Sequence, residues 1–72
     1  MSVEQDLQAL HNHEHFARFM QVVHNLREEA IGELHEAPTE NIQQVSGRII
    51  TYDQILQFAG WEKLRQRFSD SL

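Results

Sequence analysis

Between Phe16 and Leu34 the apolar side chains fall at steps of three and four, as Phe16, Phe19, Met20, Val23, Leu26, Ala30 and Leu34. At about 100° per residue, this spacing places all seven on one stripe of an α-helix. Gln21, Asn25, Glu28, Glu29, Glu33 and Glu36 occupy the opposite, hydrated side. Glu14 and Arg18 stand four apart in the favourable order for a helical ion pair. Asn12 is the expected N-cap, and the helix is expected to end at Ala37, because the residue before a proline is pushed out of helical geometry and Pro38 has no N–H with which to continue.

A second pattern follows, with Thr39 as the expected cap. Ile42, Val45, Ile49, Tyr52, Leu56 and Ala59 recur at alternating steps of three and four, a heptad seam. The competing reading is a β-strand over Arg48-Ile49-Ile50-Thr51-Tyr52, whose β-branched residues favour it. Its alternation is poor and no second strand-like segment exists to pair with it, so the helix is preferred. Gly47 falls off the seam; it reads either as a tolerated position or as a place where another backbone packs close. Ala59-Gly60 reads as a helix end, with Gly60 in the left-handed conformation. Trp61, Leu64 and Phe68 then mark a short helix, and Ser2 with Gln5 fits a capping box that opens another over Val3, Leu7 and Leu10.

The predicted fold is therefore all-α. It is one domain over 1–72: a short helix in 1–11, a long helix in 12–37, a second long helix in 39–59, a short helix in 61–68 and a polar tail in 69–72. The short connection at Ala37-Pro38-Thr39 makes an antiparallel helical hairpin the simplest arrangement, with Trp61, Leu64 and Phe68 folded over one end. Two helices bury one stripe each. Val22, Ile31, Ile50, Ile55 and Phe58 lie off the centre of those stripes, which leaves an apolar surplus for a partner.

Composition narrows the function. A chain of 72 residues with 40% apolar and 24% charged side chains is a globular domain near the lower size limit for a single core. It has no cysteine, and so neither disulfides nor a thiolate metal site. There is no N-terminal apolar run of the signal-peptide kind and no continuous apolar stretch long enough for a membrane span, so a soluble protein without a membrane partner is expected. Residues 1–36 carry seven acidic and two basic side chains, and residues 37–72 carry four of each. That balance argues against nonspecific nucleic acid binding.

Candidate chemistry is sparse. His11 and His15 are four apart, but no third ligand, H-E-x-x-H or Glu-x-x-His accompanies them. His13, His24 and His35 are spaced by eleven, about 16 Å of helix, too far for one ion. No metal and no cofactor are expected, and the histidines read as solvated or boundary residues with scope for a pH response beside the acidic side. Glu29, Glu33 and Glu36 form a solvated face rather than an acid–base pair. Ser2, Ser46, Ser69 and Ser71 lack a nucleophile context. No catalytic residue is assigned, and the chain is read as not an enzyme. Arg48, Lys63, Arg65 and Arg67, with Trp61 and Phe68, are the one set suited to phosphate contact and stacking, and they carry the alternative of a nucleic-acid-associated regulator.

The segment LREEAIGELHEAPTENIQQVSGRIITYDQIL, with its Ile42-Gln43-Gln44-Val45-Ser46-Gly47-Arg48 core, resembles small helical proteins encoded by tailed bacteriophages, over roughly residues 16–58. The resemblance implies phage origin and a minor component of the head, connector or tail, in the host cytoplasm or the virion. Together with the residue pattern it gives the leading expectation of a non-enzymatic assembly module. Its contact positions are Val22, Ile31, Ile50, Ile55 and Phe58, its orienting acids Glu29, Glu33 and Glu36, and its partner a second copy or another virion or host protein. A small inhibitor of a host protein is the remaining alternative.

Overall fold

The computed structural model describes residues 2–72; Met1, assigned above to the segment 1–11, lies outside the described residues. Those residues form four α-helices, two of them long, and no strand: α1 (Val3–Leu10), α2 (Glu14–Glu36), α3 (Ile42–Ala59) and α4 (Trp61–Arg67). Among the described residues no helix is long and apolar enough to cross a membrane. Arg48 to Tyr52 are helical, and the Thr51 hydroxyl donates to the Gly47 carbonyl at 3.0 Å.

The helix ends follow the local chemistry with two corrections. Ser2 Oγ accepts the Gln5 N–H at 3.1 Å, as a capping serine does. Asn12 does not cap α2. It sits in the turn closing α1, donating its N–H to the Ala9 carbonyl, and α2 begins one residue later from an extended His13 that makes no side-chain cap bond. Nor does Thr39 cap α3. Pro38 is extended and its carbonyl accepts the Asn41 N–H at 2.9 Å, so Thr39–Asn41 form a single 3-10 turn and α3 starts at Ile42. Ala37 is already extended, as the residue before a proline should be. Gly60 ends α3 with φ +70°, a left-handed position where a side chain is strained.

The core is small and sits toward one end. Ala17, Met20 and Val23 of α2, Leu56 and Ala59 of α3, and Trp61 and Leu64 of α4 form one buried cluster, with Phe16, Tyr52 and Phe68 half-buried around it. Toward the α2–α3 connection the buried side chains are Ala30 and Val45. Across α2 and α3, Arg27 pairs with Asp53 and Glu33 with Arg48. Phe19 and Leu26, placed on the buried stripe by their spacing, are exposed. The buried side of α2 is centred instead on a line through Ala17, Met20, Val23 and Ala30, where two small alanines let neighbouring helices approach closely.

Candidate interaction face

Two lines of residues define one side of the α2–α3 layer. On α2, Phe19, Leu26 and Glu33 are seven apart and lie almost in line, drifting by only about 20° per step. On α3, Arg48 and Ile55 are in the same relation. The Glu33–Arg48 ion pair ties the two lines together, so Phe19, Leu26 and Ile55 share a side of the layer. Val22 and Phe58, three residues from Phe19 and Ile55, border it. All five are open to solvent: Phe19 62%, Val22 53%, Leu26 40%, Ile55 42% and Phe58 65%.

The other side is covered. His24 lies about 160° round α2 from Leu26, and its ring stacks on Trp61 of α4 with centroids 5.6 Å apart. Its Nε2 is 3.5 Å from a Glu28 carboxylate oxygen, while Nδ1 is buried without a hydrogen-bond partner among the described residues. Asp53 lies about 140° round α3 from Arg48. Its hydrogen bond to Arg27 raises the guanidinium above its ordinary value, opposed by a smaller desolvation effect.

At the same corner, α1 comes back over the chain. The His11 Nε2–H donates to the Ala59 carbonyl at 2.6 Å, satisfying an end carbonyl of α3. No residue of α1 is buried. Between α1 and the α3–α4 turn runs an open groove of about 890 Å³, bounded by Leu7, His11, His24, Arg27, Trp61 and Lys63 among others. It holds no nucleophile paired with a base. No group of three His, Cys, Asp or Glu able to hold a metal occurs among the described residues.

The residues singled out by sequence thus separate. Val22 and Ile55 stand on the bare face, and Phe58, at its border, also lines the groove beside α1. Ile50 is equally exposed at 57% but lies about 140° round α3 from Ile55, on its far flank. Ile31 is half-buried. Glu33 is bound to Arg48, whereas Glu29 and Glu36 are exposed and have no cation within ion-pair distance among the described residues. Of the basic set, Arg48 is paired with Glu33 and Arg65 with Glu62, which leaves Lys63 and Arg67 without a carboxylate within ion-pair distance among the described residues. Phe19 and Leu26 were assigned to the core rather than the face. The signal that marks them is their line, which runs at heptad spacing into charged Glu33.

Compared with known protein families, curated proteins and solved structures, the chain matches none.

Proposed function

We propose that the chain is a non-enzymatic helical interaction module, a small virion-associated component of a tailed bacteriophage that binds another protein through the face of Phe19, Val22, Leu26, Ile55 and Phe58. In this reading α2 and α3 form an antiparallel hairpin. The ion pairs support it, because the later residue on α2, Glu33, pairs with the earlier one on α3, Arg48, and Arg27 pairs with the later Asp53. The phage assignment rests on the resemblance over residues 16–58.

The observation that carries the interaction reading is the asymmetry of the layer. One side is covered by α4 through the His24–Trp61 stack, and the other presents five large apolar side chains to water. An apolar patch of this kind, bordered by charged residues, is what protein-binding surfaces offer.

In-cell photocrosslinking tests the reading, with a photoreactive residue at Val22 or Ile55 and, as the control, at Ile50 on the far flank of α3. Covalent adducts at the first two and not at Ile50 are expected. Equal yields at all three would overturn the assignment. The nucleic acid alternative has Lys63 and Arg67, unpaired among the described residues, to work with; no retention of DNA or RNA in a low-salt filter-binding assay would remove it.

A further inference from the structure

We infer that α1 is a strap poised to close: it rolls on the turn at Asn12 and His13 and lays its apolar stripe, Val3, Leu7 and Leu10, into the groove lined by Leu56, Phe58 and Trp61. This device belongs to the covered side of the α2–α3 layer and does not depend on the face assigned to a partner.

Helical spacing puts Val3, Leu7 and Leu10 within an arc of about 60°. None of the three is buried, and Val3 is 60% and Leu10 38% exposed. The side that α1 turns to the groove is the neighbouring one, with Glu4, Leu7, Gln8 and His11. Its centre lies about 80° round the helix from that of the stripe, and only Leu7 belongs to both. A helix of eight residues does not hold its shape in water by itself, so α1 persists only if its stripe is covered. The groove beside it supplies the cover. It is open, about 890 Å³ in volume, and its walls include Leu56, Trp61 and the largely exposed Phe58.

Charge favours the same closure. Glu4 and Asp6 flank the stripe on opposite sides, about 90° and 70° from its centre, and neither has a cation within ion-pair distance among the described residues. The groove offers Arg27 from α2 and Lys63 and Arg65 from α4. Its own acids, Asp53 and Glu62, are already bound by Arg27 and Arg65, and Lys63 has no carboxylate within ion-pair distance among the described residues. Turning the stripe inward therefore brings two spare acids to a rim with a spare cation. The tether selects α1 over a foreign segment. His11, Asn12 and His13 alone separate α1 from α2, His13 is extended, and the His11 side chain holds the Ala59 carbonyl beside the groove. With α1 already at the groove, closing costs no translational freedom, which any other occupant would lose. Closure fills the groove and leaves the bare face for a partner.

NMR of the full chain tests this, since Trp61 is the single tryptophan and its ring signals are unique. The expected result is nuclear Overhauser contacts from the Val3 and Leu10 methyl groups to the Trp61 and Phe58 rings, with slowed amide exchange across α1. Leu7→Ala/Leu10→Ala should lower that protection at least about tenfold, although alanine is the better helix former, and should leave α2 and α3 as in the parent chain. Val3→Ala, tested beside it, keeps the result readable if the double variant disturbs the other helices. Lys63→Glu should lower protection by a smaller factor that vanishes at high salt. Unprotected α1 amides without those contacts would overturn the strap. So would protection that survives all three alanine substitutions, contacts running from α1 to Phe19 or Val22 instead, or contacts found only between differently labelled copies in a mixed sample.

Discussion

Gly60 is the residue whose backbone decides a corner of the fold, since φ +70° at the α3–α4 turn is open to glycine and costly for any other L-residue. A Cβ there would also stand 2.8 Å from His11 Cε1. Gly60→Ala should therefore cost about 1–2 kcal/mol and push His11 off the Ala59 carbonyl. In thermal melts of the double-mutant cycle, part of that cost should vanish in the His11→Ala background. Gly32 and Gly47 are the converse, both helical with nothing within 4 Å of an added Cβ. Gly32→Ala and Gly47→Ala should each stabilise by about 0.5–1 kcal/mol, a rise of a few degrees in melting temperature at fixed protein concentration. Arg27 supplies a sign without a window at neutral pH. The Asp53 hydrogen bond raises the guanidinium above its ordinary value, so its contribution is complete below that value and fades only as pH climbs through the raised one. Its titration should leave the melting temperature flat through the neutral range.

Among the helices, α1 is the weakly held element. It is eight residues long, too short to be stable alone, and it buries none of its residues. The one side-chain hydrogen bond from this N-terminal arm to the rest of the described chain is that of His11 to Ala59. His11→Ala should therefore collapse amide hydrogen-exchange protection in α1 while leaving that of α2 and α3 near its original level. A uniform loss of protection would show instead that α1 is part of the core. By contrast α4, though seven residues, contributes Trp61 and Leu64 to the main buried cluster. Trp61→Ala should cost about 3–5 kcal/mol, a large share of the stability of so small a domain, and would be seen as a broad or absent thermal transition.

For the whole molecule, the thin shape and the bare face make association and stability one question. A partner that binds the folded chain through Phe19, Val22, Leu26 and Ile55 should raise its melting temperature in thermal melts of the mixture, and should raise that of Phe19→Asp less.

The sequence by itself determined the elements. The three-and-four spacing of apolar residues, Pro38 after Ala37, and Gly60 after Ala59 place the helices to within about three residues, the start of α3 at Ile42 being the furthest off, because these are local constraints of backbone geometry. The misplaced caps at Asn12 and Thr39 have a local cause too, since in each case a neighbouring turn claims the backbone groups at the helix start. What only the tertiary structure decided is which flank of each helix is buried. Phe19 and Leu26 share a stripe with Met20 and Val23 and are indistinguishable from them by periodicity. Leu56, Ala59, Trp61 and Leu64 meet the flank that carries Ala17 and Met20, and Trp61 stacks on His24. The burial of Ala17 and the exposure of Phe19 follow from that docking. It depends on contacts between segments some forty residues apart, which no spacing within α2 encodes.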